Sequence, residues 1–251
     1  ESIDYYAFRD CGALSSVIIP KSVTTIGNDV FPTVKEVTFE GTPETIGTNT
    51  FDNVVLLQIN NVNDWCNVYN QLEHTMSNAD LYVDGSQVKN LVLNPASKIV
   101  NNGCYSGLVL DKVRVKADEI KDYAFYETAI SALCLDVKKI GSWAFAYGRN
   151  LKEVYSMTPE PPVADGNSFE AAYDYFYEMT LYVPKGSKDE YRKQYTWGRF
   201  GRIIETDFAD IDEMFKADHD DGSSGIEDVT INSPETVSYT HLRAHETDSY
   251  L

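Results

Sequence analysis

The segments Ile120-Lys-Asp-Tyr-Ala-Phe125 and Ile140-Gly-Ser-Trp-Ala-Phe145 decide the fold of this chain. Each places an aromatic residue five positions after an isoleucine, and the two isoleucines are 20 residues apart. The same spacing recurs upstream, in the segments that run from Ile3 to Phe8, from Ile26 to Phe31, from Ile46 to Phe51 and, with cysteine as the final residue, from Ile99 to Cys104. A period of about 20 residues predicts a stack of repeated coils, in which each coil covers the apolar side of the next.

A short alternating run of apolar residues follows each final residue of these segments. Two members of each run lie two positions apart, so their side chains share one face of a β-strand. Stacking aligns equivalent residues into three predicted columns. They are Ile3, Ile26, Ile46, Ile99, Ile120 and Ile140; Phe8, Phe31, Phe51, Phe125 and Phe145; and Val17, Val37, Leu57, Leu91, Val113, Leu133 and Val154.

This pattern resembles the BspA-like leucine-rich repeats, most closely in Val17-Ile-Ile-Pro-Lys-Ser-Val-Thr-Thr-Ile-Gly27 and in Ile140 to Phe145. The resemblance covers about residues 1–206. It implies a repeat solenoid of the leucine-rich-repeat type, a right-handed β-rich (α+β) superhelix with short helical and turn segments and a C-terminal cap. Departures from the family pattern are Val30, Thr50 and Gly103, where alanine is usual, and Cys104 at the aromatic position.

Two parts of the repeat domain depart from the period. Residues 60–84 read as an insertion, in which Trp65 is predicted to plug the side of the solenoid and His74 has no second plausible ligand. Residues 181–206 read as a C-terminal cap. Ser187 and Glu190 have capping-box spacing, which predicts a short helix that begins near Lys188. The apolar cover of the last coil is predicted to come from Tyr191, Trp197, Phe200, Ile203 and Ile204.

The composition changes again after the cap. Residues 207–236 are expected to be an acidic flexible linker, since 207–228 contain nine acids and one base. Residues 237–251 resemble the translation of a sequencing adapter and are expected to be a non-native tail. Its two histidines, His241 and His245, are therefore excluded from any site. The chain begins without a methionine, so the native ends and any signal peptide are expected to lie outside it.

Charge and composition exclude several classes of function. The chain has 251 residues and a net charge of -18, from 39 acids and 21 bases. That excess argues against nucleic acid as a partner, because phosphate binding needs clustered Lys and Arg. No stretch approaches the roughly 18 apolar residues of a membrane-spanning helix. The cysteines at positions 11, 66, 104 and 134 match no zinc spacing and are expected to be isolated thiols.

No catalytic or metal-binding motif stands out in the sequence. With the tail excluded, only His74 and His219 remain as histidines. Asp218, Asp220 and Asp221 do not fit a calcium loop, because Gly222 stands where a third oxygen ligand is needed. Since catalysis needs a convergent set of groups, we expect a non-enzymatic protein without metal or cofactor.

The outward positions of the strands are the candidate binding face. They are expected to form one continuous ladder, the kind of surface that repeat proteins use to bind partners. The predicted face consists of Ile18, Glu36, Thr38, Gln58, Val92, Lys112, Arg114, Cys134, Glu153 and Tyr155. Arg114 and Tyr155 are the expected anchors, because Arg and Tyr are enriched among residues that dominate binding energy.

The family resemblance implies a secreted or cell-surface adhesin that contacts a protein ligand, such as a host extracellular-matrix protein or a protein of another cell surface. Two alternatives stay open from the sequence. The solenoid is a structural spacer that displays a missing domain, or it is a glycan-binding module that uses some of its 17 tyrosines.

Overall fold

Parallel strand pairing between successive coils organises the chain. A computed structural model describes residues 1–71, 76, 78–148, 150–170 and 175–219. Within this part the chain is a β-solenoid of stacked coils, as the sequence predicts. His74 and the predicted tail lie outside the described residues.

Most coils contribute one strand of four or five residues and one strand of two residues. The first nine strands are β1 (Ser2–Ile3), β2 (Ser16–Ile19), β3 (Thr25–Ile26), β4 (Glu36–Phe39), β5 (Thr45–Ile46), β6 (Leu56–Ile59), β7 (Tyr69–Asn70), β8 (Asp80–Val83) and β9 (Ser86–Val88). The next ten are β10 (Asn90–Leu93), β11 (Ile99–Val100), β12 (Lys112–Lys116), β13 (Glu119–Ile120), β14 (Ala132–Asp136), β15 (Lys139–Ile140), β16 (Glu153–Ser156), β17 (Val163–Ala164), β18 (Thr180–Pro184) and β19 (Arg202–Thr206). Three short α-helices belong to the described part: α1 (Val62–Trp65), α2 (Lys188–Lys193) and α3 (Ile211–Met214).

The longer strands form two sheets. The first long sheet has the order β2-β4-β6-β8-β9, and the second long sheet has the order β10-β12-β14-β16-β18-β19. The two-residue strands form two narrow sheets, β1-β3-β5-β7 and β11-β13-β15-β17. Neighbouring strands are parallel except in the β8–β9 hairpin.

The residues of the predicted aromatic column stack ring on ring, but in two halves: one runs from Phe8 to Phe51 and the other contains Phe125 and Phe145. Phe8 and Phe31 have centroids 5.1 Å apart, and Phe125 and Phe145 are also 5.1 Å apart. Phe169 extends the stack, at 5.4 Å from Phe145. This coil is not predicted from the sequence, because Ala164 and not an isoleucine precedes Phe169 by five residues.

One repeat unit is shifted by one residue from its prediction. Ile120 pairs with Val100 and not with Ile99, so Val100 belongs to the isoleucine column. Tyr105 then takes the aromatic position, stacked 5.4 Å from Phe125. Gly103 becomes the third residue after the column position, where its φ of 63° matches the positive φ of equivalent residues in other coils. Glycine suits this backbone because it has no Cβ to clash.

The predicted column of strand residues from Val17 to Val154 is wrong at its middle, between Leu57 and Leu91. Leu57 pairs with Leu81 of β8, and Leu91 begins a separate column with Val113. The reason is that residues 60–84 are more than an interruption, since they supply α1, β7 and β8 as a coil of their own. The antiparallel β8–β9 hairpin then ends the first long sheet.

Trp65 fills the space between the two halves of the aromatic column. Its side chain is buried, its ring centroid lies 4.8 Å from that of Phe39, and its indole N–H donates to the Cys104 carbonyl at 2.7 Å. The hydrogen bond satisfies the polar atom of a buried aromatic side chain. Trp65 therefore contacts one coil in each half of the solenoid, through Phe39 in one and Cys104 in the other.

The cap contains β18, α2 and β19. Trp197 is buried, and its indole N–H donates to the Pro162 carbonyl at 2.8 Å. Helix α2 begins at Lys188 as predicted, but the Ser187 side chain makes no capping bond, because its backbone is already helical. The Glu205 carboxylate accepts from the Lys188 backbone N–H at 3.1 Å in its place. Ile204 faces solvent and does not cover the last coil.

Replacing Phe125 with alanine tests the aromatic column. The ring is fully buried and stacks on both Tyr105 and Phe145. We expect Phe125→Ala to lower the free energy of unfolding by about 3–5 kcal/mol in urea denaturation. Tyr177→Ala, which removes an exposed ring, should change it by less than about 0.5 kcal/mol. Equal effects of the two variants would contradict the stacked core.

Candidate ligand-binding face

The outward side of the second long sheet is the candidate site, and we call it the second-sheet face. Strand alternation positions its residues. In β14, Leu133 and Leu135 point into the solenoid core, so Cys134 between them points outward. Parallel pairing places Cys134 between Arg114 of β12 and Tyr155 of β16. One row of the sheet therefore carries a cation, a small thiol and an aromatic ring side by side.

Residues 207–219 lie on this face, and we call them the strap. The expectation of a flexible linker from residue 207 is wrong over this part, because α3 and its flanks pack against the sheet. Residues 207–219 contain five acids and one lysine, but the apolar residues among them contact the sheet. Phe208, Ile211 and Phe215 have the spacing of one helix face. Residues 220–236 of the expected linker lie outside the described residues.

Apolar contacts hold the centre of the strap. Ile211 and Phe215 are buried, together with Ala132, Cys134 and Tyr155, in a cluster separate from the solenoid core. The Phe215 ring meets Tyr155 edge to face at 5.4 Å between centroids. A four-residue helix is unstable alone in water. Packing on the sheet therefore maintains α3.

Polar contacts follow the strap on both sides of this cluster. Arg114 donates to the Asp212 carboxylate at 2.5 Å, and the Lys112 ammonium donates to the Met214 carbonyl at 3.0 Å. Near the end of the strap, the Asp218 carboxylate accepts two backbone N–H groups, from Lys89 and Asn90, each at 2.9 Å. At its start, Asp207 pairs with Lys185 at 3.0 Å.

The strap crosses the entire second long sheet. It begins just after β19, at one edge, and Asp218 reaches the first residue of β10, at the other edge. Six strands leave five gaps of about 4.8 Å, so the crossing covers about 24 Å. Contacts with Tyr155 of β16, Cys134 of β14 and Arg114 of β12 lie between these two edges. The strap is therefore in contact with the sheet from one edge to the other.

Burial under the strap changes the titration of two groups. Burial raises the pKa of the Cys134 thiol to about 12, against a smaller opposite effect of the nearby Arg114 cation. Burial also raises the pKa of the Tyr155 hydroxyl, and the neighbouring Glu153 carboxylate adds to the increase. Both groups are therefore neutral at physiological pH, and Cys134 is a poor nucleophile.

A groove of roughly 440 Å³ lies beside the strap at the start of the strands. Lys112, Lys152 and Arg202 line it together with Glu153 and Glu178. Lys152 and Arg202 are exposed. Part of the second-sheet face is thus open to solvent and carries positive charge, in a chain whose net charge is -18.

The ten predicted face residues lie on two sheets and not on one continuous ladder. Among the described strands no pairing joins β9 to β10. Ile18, Glu36, Thr38 and Gln58 lie on the first long sheet. Val92, Lys112, Arg114, Cys134, Glu153 and Tyr155 lie on the second long sheet.

Cys134 and Tyr155 were predicted as open contact residues, but the strap buries them. The prediction also missed Tyr82 in the first sheet and Tyr182 in the second. Tyr182 stacks on Tyr155 at 4.4 Å between centroids. Side chains alternate between the two faces of a strand, so both tyrosines are recognised as outward-facing once β8 and β18 are known to be strands.

Among the described residues no group of three or more His, Cys, Asp or Glu could hold a metal ion, and no helix is long and apolar enough to span a membrane. The four cysteines are unpaired, with Cys11 exposed and the other three buried. His219, at the end of the strap, is the only histidine among the described residues.

Thiol labelling tests the burial of Cys134. At pH 8 we expect iodoacetamide to label Cys11 readily and Cys134 very slowly, because Cys134 is covered and its thiol stays protonated. Peptide mass spectrometry reads out each site. In urea all four cysteines should react. Labelling of Cys134 as fast as Cys11 in the folded protein would show that the strap does not cover it.

Comparison with known families identifies the repeat. A family model described as BspA type Leucine rich repeat region (6 copies) matches residues 1–78 and 78–161, well over half of the chain. No curated protein and no solved structure matches this chain. Repeats of this type are typically non-catalytic scaffolds for protein–protein interaction. Together with the stacked parallel coils, the match shows that this chain belongs to the BspA type leucine-rich repeat family.

Proposed function

We propose that the chain is an extracellular, non-catalytic binding module that mediates adhesion or protein–protein interaction through the second-sheet face. One observation carries the proposal. This face already buries the apolar side chains of a peptide segment, Ile211 and Phe215, and pairs Arg114 with a carboxylate of the same segment. A surface that holds a segment of its own chain has the chemistry to hold one from another protein.

The face is also preorganised. The strand ladder fixes the backbone of Arg114, Cys134 and Tyr155 through pairing on both sides. Tyr155 is further held by its stack on Tyr182, and both hydroxyls donate to Glu153. Side chains that are already ordered lose little entropy when a ligand binds. Tyr and Arg are also the residue types that most often dominate binding energy.

The family supports the proposed location and the proposed class of ligand. Proteins with BspA type repeats are typically secreted or displayed on the cell surface. On this basis the partner is a protein of the host extracellular matrix or of another cell surface. The ladder of outward side chains gives a long surface suited to a macromolecular ligand.

Solid-phase binding to immobilised extracellular-matrix proteins tests the proposal. We expect Arg114→Ala with Tyr155→Ala to weaken binding at least about tenfold, as the loss of anchor residues does. The matched control is Arg9→Ala with Tyr5→Ala, which removes the same residue types from exposed positions in the first coil. The control should bind as the parent does. Unchanged binding in both variants would favour the spacer, which tolerates such changes on the sheet.

A second candidate function, glycan binding, rests on an aromatic cluster in the turns. Tyr126 lies 5.4 Å from Tyr123 and 5.5 Å from Tyr147, and Trp143 stacks on Tyr147 at 5.8 Å, between ring centroids. All four side chains are half-buried. Tyr and Trp combine an apolar ring with a polar tip, which suits partly wet contact surfaces.

A glycan array separates this candidate from protein adhesion. If the turn cluster binds sugars, Trp143→Ala with Tyr147→Ala should abolish the array signal and leave binding to matrix proteins unchanged. The Arg114→Ala, Tyr155→Ala variant should keep the array signal and lose binding to matrix proteins. An array without signal for the parent chain would exclude the cluster as a glycan site under these conditions.

A further inference from the structure

The strap shows which peptide chemistry the second-sheet face accepts. Its apolar residues Phe208, Ile211 and Phe215 are spaced three and four apart, as on one face of a helix, and all three pack in the same cluster on the sheet. A carboxylate one position after the central apolar residue meets Arg114. A second carboxylate, three positions after the last apolar residue, meets the backbone N–H groups at the start of β10.

The face complements this pattern in shape as well as charge. Ala132 and Cys134 are small, and with Tyr155 they form a floor on which Ile211 and Phe215 are buried. These contacts are separate from the solenoid core. The coils therefore do not need the strap to bury their own apolar columns, and the face is a surface that the strap occupies.

We propose that the second-sheet face is a receptor for short acidic segments with apolar residues at helical spacing, and that the strap is a built-in occupant that a partner segment of the same chemistry displaces. The inference rests on the proposed function and specifies its ligand and its regulation. The groove beside the strap, lined by Lys152 and Arg202, gives an incoming acidic segment an open place to make its first contacts.

An occupant in the same chain lowers the apparent affinity for any competitor. A ligand binds only the fraction of molecules whose face is open, so its apparent dissociation constant rises as that fraction falls. A tethered segment also acts at an effective concentration in the millimolar range. Loss of the strap contacts should therefore increase affinity for a partner segment. Loss of face residues should decrease it.

The direct test uses the full chain and a synthetic peptide with the sequence of residues 206–219. In a Cys11→Ser background, Ile211→Asn with Phe215→Asn removes the apolar anchors of the strap without changing its charge. We expect the fluorescent peptide to bind this variant at least about tenfold more tightly than the parent, by fluorescence anisotropy. Cys134 should be alkylated at least about tenfold faster in the variant, and the added peptide should slow it again. A peptide with the same two asparagines is the control. It should neither bind the variant tightly nor slow the alkylation of Cys134.

A charge exchange tests the register of the contact. In the variant with the asparagine-substituted strap, Arg114→Glu should abolish binding of the native-sequence peptide. A peptide that carries Asp212→Arg should bind this Arg114→Glu protein and not the protein with Arg114. Lys138→Glu, at an exposed position in a turn, changes the charge equally and should leave peptide binding unchanged. Failure of the exchange would overturn the proposed docking mode.

A milder substitution makes the test independent of folding. Asp212 is largely exposed, so Asp212→Arg in the full chain should not disturb folding, and it should increase the alkylation rate of Cys134 several-fold. Slow alkylation of Cys134 in both strap variants would overturn the inference, because the strap would not be its cover. So would fast alkylation without peptide binding.

Neither of these two alkylation results would contradict the proposed function, because that function is tested by binding to matrix proteins. Conversely, peptide binding by a chain that binds no matrix protein would support the receptor chemistry and contradict the adhesive role.

Discussion

The spacing of a parallel β-ladder is the constraint on which the rest of this structure depends. Strands in such a ladder lie about 4.8 Å apart, and rings of successive coils stack at 5.1–5.7 Å, from Phe8–Phe31 to Phe31–Phe51. The turns keep the same spacing, because backbone N–H groups such as those of Tyr123 and Phe125 donate to carbonyls of the next coil. No coil can bury its apolar residues alone, so each depends on its neighbours.

The same ladder produces the candidate site. Alternation sends Val113, Leu133 and Val154 into the core and leaves the residues beside them on the outer surface in register. The outer row is therefore as well ordered as the inner one, although it contributes nothing to the core. Arg114 and Tyr155 owe their positions to this pairing. A segment with matching spacing can contact several strands at once, as the strap does.

Sequence reasoning succeeded where a residue type and a period agreed. Phe31, Phe125 and Phe145 are large, recur in register and lie in the predicted column. It failed where the residue type changed but the geometry did not. Val100, Tyr105 and Ala164 hold column positions without the expected side chain, because the ladder fixes the backbone and tolerates any side chain that fills the space. The aromatic residue after Cys104 was the signal that could have corrected the register.

The sequence by itself determined the repeat, its period and the identity of most core residues, because these follow from local spacing and from contacts between neighbouring coils. Only the tertiary structure decided what covers the outer face. The contacts of Asp218 with Asn90 and of Asp212 with Arg114 join residues about a hundred or more positions apart, and no local pattern encodes such a pairing. Acidic composition favours a solvated chain, and three apolar side chains at helical spacing reversed that expectation once a complementary surface lay within reach.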